Sequence, residues 1–91
     1  MVKLDLYLAG RSRNSMRALH NLKEWLAQYG GEGVELRVID VLEHPDRALD
    51  EGVLVTPTVI RREPDPIRIV VGTLDLPDDV TVLLEQGAPS A

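Results

Sequence analysis

Arg11 and Arg13 in the stretch Gly10-Arg11-Ser12-Arg13-Asn14-Ser15, with Arg17 just beyond it, crowd the expected start of a helix. The first turn of a helix leaves backbone N–H groups without partners and favours anions. That corner can receive an acidic protein surface or a phosphate. The same arginines also read as a solvated loop whose cations offset an acidic chain. The stretch carries no sulfur, so thiol–disulfide exchange has no thiolate to start from. Ser12 and Ser15 have no histidine or lysine base beside them, which leaves a hydrolytic triad unsupported. His20 and Glu24 sit one helical turn apart and His44 lies far along the chain, a surface pair rather than a metal site. There is no P-loop, G-x-G-x-x-G or H-E-x-x-H motif. Thr56-Pro57, just ahead of an expected strand, admits either a cis peptide or an ordinary trans proline at a strand edge. No catalytic constellation emerges, and no cofactor or metal site is expected.

Composition narrows the class further. The chain has 91 residues, no cysteine, and 15 acidic against 10 basic residues for a formal charge of −5. Such a balance argues against a sequence-independent grip on nucleic-acid phosphates. The absence of cysteine excludes disulfides, thiolate metal sites and Fe–S clusters. No apolar run approaches the roughly 20 residues that span a bilayer, and Met1-Val2-Lys3-Leu4-Asp5 resembles neither a signal nor a transit peptide. The expectation is a soluble, cytoplasmic, single globular domain over residues 1–87, with 88–91 as a disordered tail.

The elements that would position these residues follow from periodicity. Val2, Leu4, Leu6 and Leu8 alternate with Lys3, Asp5 and Tyr7, which predicts a half-buried strand. Asn14 or Ser12 can cap a helix whose stripe is Met16, Leu19, Leu22, Leu26 and Tyr29, widened by Ala18 and Trp25 and stopped by Gly30-Gly31. Val34 to Val41 predicts a second strand ending near Asp40, parallel to the first. His44-Pro45-Asp46 opens a short helix through about Asp50, ended by Gly52. Val53-Leu54-Val55, interrupted by Thr56-Pro57-Thr58, resumes as Val59-Ile60. Across the turn Arg62-Glu63-Pro64-Asp65-Pro66, Ile67, Ile69 and Val71 complete a hairpin. Asp75-Leu76-Pro77-Asp78-Asp79 signals a helix start, whereas Val80-Thr81-Val82 prefers a strand. The order βαβαββα is that of an α/β, thioredoxin-like domain.

With these residues placed, the chain resembles the KaiB family of circadian clock proteins. The stretches that carry the resemblance are Leu4 to Gly10, Asn14 to Leu19, Val38 to Leu42 with Pro45, Leu54 to Thr58, and Pro64 to Gly72 with Leu74. Together they cover nearly the whole domain. The resemblance implies a non-enzymatic binding module that docks on a KaiC-like ATPase ring, sequesters KaiA and competes with the output histidine kinase for the ring. It also implies a metamorphic chain with two folds: thioredoxin-like βαβαββα, competent to bind, and a tetrameric βαββααβ. By motif match the ring-binding surface would include Arg17 and the segment Asp50, Gly52 and Val53, with Arg61 and Arg68 at positions also basic in the family. The second strand near Leu36 and Val38 would be the edge offered to KaiA. Thr56, Pro57, Pro64, Pro66 and Leu83 would shape the loops or bear on the fold switch, and Asp40 would end a strand.

Several residues depart from the family pattern. Its three-proline run reads Pro64-Asp65-Pro66, a family lysine is replaced by Gly52, and a family glycine by Leu83. Where the backbone is helical, leucine in place of glycine favours helix by roughly 0.5–1 kcal/mol. The reading is therefore a monomer resting in the thioredoxin-like fold, with the homotetramer as the other state. The alternative function is a paralogue that kept the shell for an unrelated partner, for example in stress signalling.

Overall fold

Lys3 is the one exposed residue of the first strand, β1 (Val2–Leu8), because this strand runs through the middle of the sheet and is covered on both sides. The expectation of a half-buried strand was too weak: Asp5 and Tyr7 are buried along with the alternating leucines. The structure, a computed structural model, describes residues 1–30 and 33–84. Its order is β1, α1 (Arg13–Trp25) continued by a π-helical turn (Leu26–Gly30), β2 (Val34–Asp40), α2 (Pro45–Asp50), β3 (Thr58–Glu63), β4 (Arg68–Val71) and α3 (Pro77–Leu84). The strands lie in the sequence β2-β1-β3-β4. β2 is parallel to β1, and β3 and β4 are antiparallel additions. This is the βαβαββα order read from the sequence. The expected tail at 88–91, together with Gly31 and the boundary at 87, lies outside the described residues.

Cross-strand partners share a face of a sheet, so the registers sort every strand residue. One face carries Val2, Leu4, Leu6, Leu8, Val59 and Arg61. Against it pack Ala18 and Leu22 of α1, Leu83 of α3 and Leu74 before α3. Each such leucine contributes about 1.5–3 kcal/mol by leaving water. The other face carries Asp5, Tyr7, Ile39, Thr58, Ile60 and Ile69. There Tyr7, Ile39 and Ile60 form a smaller cluster under Val41 and Val53.

Three details differ from the sequence reading, and a fourth, left open there, is decided. Ser15, Ala18 and Leu22 are the buried side of α1, while Met16 and Tyr29 are exposed, so the apolar stripe is narrower than its spacing suggests. Val53-Leu54-Val55 is not a strand: the Val53 N–H is committed to Ala48 O at 2.9 Å, and Val55 O accepts from the Thr58 hydroxyl at 2.7 Å. β3 runs on through Arg62 and Glu63, which were expected in the turn, because Glu63 pairs with Lys3 at the start of β1. Thr56–Pro57 is cis, as are Glu63–Pro64 and Asp65–Pro66.

The chief correction concerns Arg61, expected on a partner-binding surface. It is 1 % exposed, enclosed between β3 and α3, and donates to the carbonyls of Val82 at 3.3 Å and Pro66 at 2.7 Å. A guanidinium sealed this way ties α3 to the hairpin and has no face left for a partner. Arg68, its cross-strand neighbour, is half-buried.

Candidate protein-docking surface

The C-terminal ends of β1 and β2 lie side by side, Leu8 opposite Asp40, and β3 begins beside them with Thr58 opposite Tyr7. Loops leaving these strands therefore meet at one end of the sheet. Asp40 clamps two of them: its Oδ1 accepts from Gly10 N at 3.0 Å and from Leu42 N at 2.9 Å. Gly10 takes φ +57°, and a Cβ there would press on the Leu42 side chain at 3.0 Å, so this tight turn favours glycine. Ser12, not Asn14, caps α1, accepting from Ser15 N at 3.3 Å. The buried Ser15 hydroxyl accepts from Ala9 N at 3.0 Å and from the Ser12 hydroxyl at 2.8 Å. Both serines are thus occupied in fixing the turn. Arg11 and Arg13 stand exposed on it.

Arg17, one turn along α1, points back toward the loop before α3. Its Nε donates to Asp75 Oδ1 at 2.9 Å, and Asp75 also accepts from Thr73 at 2.6 Å and Asn21 at 3.0 Å. The Thr73 hydrogen bond, reinforced by Arg17, holds the Asp75 carboxyl below its ordinary value. Asn21 reaches the Thr73 carbonyl at 2.8 Å, and the Trp25 indole N–H reaches the Leu74 carbonyl at 2.8 Å. Leu74 itself is buried at φ +60°, a left-handed conformation a non-glycine side chain adopts at a cost. Arg17 therefore fastens the C-terminal half to α1 while its side chain stays 60 % exposed.

Across the sheet, α2 ends on Gly52 at φ +71°, with Gly52 N bonded to Leu49 O at 3.1 Å. Asp50 and Gly52 are exposed and Val53 is half-buried. Leu49, Leu54 and Val55 project into solvent close by, Leu54 at 90 % exposure. Between this loop and β4 runs an apolar groove of about 350 Å³, floored by Thr58 and Ile60 and rimmed by Val53, Leu54, Val55, Ile69 and Val71. The sequence patterning had not marked it, because Val53 to Val55 read as strand rather than as one wall of a groove.

Beneath the same loop lies an ion network that the alternation of β1 concealed. Asp5 accepts from Arg37 Nε at 3.0 Å and Nη2 at 2.8 Å, and from Arg62 Nε at 2.9 Å. Arg62 goes on to Glu51 at 2.7 Å and to the Tyr7 hydroxyl at 3.2 Å. Burial acts to raise the Asp5 pKa, but the Arg37 and Arg62 hydrogen bonds and charges outweigh it and hold the carboxyl below its ordinary value. Burial likewise opposes the charge on Arg62, and its bonds to Asp5, Glu51 and Tyr7 prevail, raising its pKa. In an unbroken strand pattern, a central aspartate with an arginine in register on the neighbour is the available sign of such a network.

The structure does not gather the sequence-predicted residues into one patch. Arg17 rises from α1 on one face, and Asp50, Gly52 and Val53 follow α2 on the other. Leu36, half-buried, and Val38, 45 % exposed, lie on β2, an edge of the sheet. Thr56 and Pro57 lie in the loop that leads into β3, and the Pro57 carbonyl accepts from Gly72 N at 3.0 Å. Pro64 and Pro66 bracket the hairpin turn, and Leu83 is fully buried beneath α3.

A model of the KaiB domain matches residues 5–86. The chain belongs to the KaiB family. Circadian clock oscillator protein KaiB of Prochlorococcus marinus subsp. pastoris is 44 % identical over 81 residues, covering 89 % of this chain and 74 % of that protein. The KaiB of Trichodesmium erythraeum is also 44 % identical over 81 residues, covering 89 % of this chain and 76 % of its own length. Among solved structures, the N-terminal domain of Synechococcus elongatus SasA superposes with a TM-score of 0.74 at 22 % identity, covering 96 % of this chain and 88 % of that one. Chloroplastic thioredoxin z gives 0.76 at 18 % identity, covering 92 % and 75 %. These likenesses establish the thioredoxin-like fold, and the KaiB relatives support a clock role. No helix among the described residues is long and apolar enough to cross a membrane.

Proposed function

We propose that this KaiB-family chain is a non-enzymatic docking protein of a circadian clock, acting in the cytoplasm. In this reading it binds a KaiC-like ATPase ring and regulates it by sequestering a KaiA-like protein or by competing with an output histidine kinase. The observation that carries the reading is the KaiB family match across residues 5–86. The surface chemistry is compatible with it: Arg11 and Arg13 are exposed at one end, Val38 sits on an edge strand, and both serines of the α1 turn are bound up in capping. An edge strand offers unpaired backbone groups to an incoming strand, which suits β2 for a KaiA-like partner. Arg17 and the segment Asp50 to Val53 remain proposed contacts for the ring.

The test is co-elution of the purified protein with a hexameric KaiC ring, followed over time. Prompt complex formation supports a resting state already competent to bind. Complex formed over hours supports the clock role with a resting state in the alternative fold. Absence of complex, where a standard KaiB binds, overturns the ring-docking reading. It would favour a paralogue with another partner, an alternative motivated by Gly52, whose φ of +71° is one that a lysine would adopt only with strain.

A further inference from the structure

β4 is the second edge of the sheet, and among the described residues no strand pairs with its outer side. Gly72 N donates to Pro57 O at 3.0 Å, which makes 57 and 72 a hydrogen-bonded position of the β3–β4 ladder. Bonded and non-bonded pairs alternate in antiparallel strands. From the register, Val59 with Val70 and Arg61 with Arg68 are then bonded, and Thr58 with Val71 and Ile60 with Ile69 are not. The N–H and C=O groups of Ile69 and Val71 are therefore directed away from β3, toward the open edge. The side chains of the same two residues, 60 % and 59 % exposed, line the apolar groove beside Leu54 and Val55. Ile69 and Val71 themselves carry neither a charge nor a proline, the usual protection of an exposed edge, and Arg68 at the start of the strand is the one charged residue of β4.

We propose that β4 pairs antiparallel with β4 of a second copy of this chain, joining two sheets into one. The strand is complementary to itself. With Ile69 opposite the second copy's Val71, and the reverse by symmetry, two bonded pairs flank the axis and Val70 faces the second copy's Val70. Arg68 then falls opposite the second copy's Gly72, so the cations do not confront each other, an arrangement that like charges directly opposite would have destabilised. The contact uses the same patch on both chains and closes as a dimer rather than growing into a fibre. It borders the groove that Gly52 and Val53 also line, so it adjoins the ring contacts proposed at Asp50 to Val53, while β2 and the Arg11–Arg13 corner stay exposed. The expected resting monomer is then the dilute state only.

Sedimentation equilibrium over roughly a hundredfold range of protein concentration tests the association by mass action. The expected result is a rise toward twice the mass of the chain, abolished in Val71→Lys, with circular dichroism and melting temperature of the dilute protein unchanged. Amide hydrogen exchange, read residue by residue on the unmodified protein, supplies the second measurement. The Ile69 and Val71 amides should gain protection with concentration, while the Arg68 and Val70 amides, already bonded to β3, should not change. A mass that stays at one chain throughout overturns the proposal. So does a dimer that Val71→Lys leaves intact, or protection of Ile69 and Val71 that does not change on dilution.

Discussion

Asp5 is a carboxylate in the middle of a central strand, 3 % exposed, and two arginines from neighbouring strands donate to it. Removing one member of a buried ion pair strands the others, which typically costs 3–5 kcal/mol. Arg37 keeps 57 % of its side chain in water, so Asp5→Asn should cost about 3 kcal/mol in urea unfolding, the low end of that range. The sign of the pH dependence follows from the direction of the shift. The folded carboxyl titrates below the ordinary value of 3.8, so its contribution is complete above that value and is lost as pH falls through the lower folded one. Asp5→Asn should flatten the acid limb of the stability profile relative to the unmodified protein; an unchanged limb would assign the acid sensitivity elsewhere. Ser15 behaves differently. Ser15→Ala removes the acceptor of Ala9 N and of the Ser12 hydroxyl, an expected loss of about 1–2 kcal/mol measured by thermal melting. Neither role was visible in the sequence: Asp5 read as the solvent side of a strand and Ser15 as a polar helix-start residue, because period-two and period-3.6 patterns assume one wet face. A strand in the middle of a two-faced sheet has none.

The elements themselves were largely legible. β1, α1, β2 and α2 follow their periodicity and caps because each is defined by contacts close in sequence, and the parallel pairing follows from the βαβ connection. The second half was harder, since its pattern is set by distant partners. Val53 to Val55 has the residues of a strand but loses its backbone groups to α2 and to Thr58. Val80-Thr81-Val82 has strand propensity, yet Val80 and Leu83 face the core on helical spacing in α3. Leu83 bears on how firmly α3 holds. The helix-propensity figure of under 1 kcal/mol understates it, because the side chain is fully buried against Leu4, Leu22 and Val59 in one cluster. Leu83→Gly should cost about 4 kcal/mol, cavity and propensity together. The loss should be concentrated in faster amide exchange of Val80 to Leu84, while β1 and β2 remain protected. Uniform acceleration across the chain would mean that α3 does not open as a separate unit.

For the whole molecule, the proposed binding residues lie largely apart from the core, with Arg17, bonded to Asp75, belonging to both. Arg61, once expected at the partner surface, belongs to the interior, whereas Arg13, Val38 and Leu54 touch little of the core. Val38→Lys and Arg13→Glu should each change unfolding free energy by no more than about 0.5 kcal/mol. Both should weaken capture of a clock partner, and the Arg13 effect should diminish as salt is raised. Loss of stability in either variant would place that residue in the scaffold instead. The sequence marked Arg13 and Val38 by type and position, and the family resemblance already implied that β2 is an edge, as the strand order has it; that α1 and α2 take opposite faces is seen only in the structure. One contact has a practical consequence. Trp25 is the single tryptophan of the chain, stacked on Tyr29 with ring centroids 5.7 Å apart and bonded through its indole N–H to the Leu74 carbonyl. That carbonyl belongs to the segment leading into α3, so the indole sits astride the seam between the two halves of the domain. Its emission is a native optical gauge of that seam: any event that lifts the C-terminal half from α1 frees the indole to water and shifts the spectrum to the red, with no label attached.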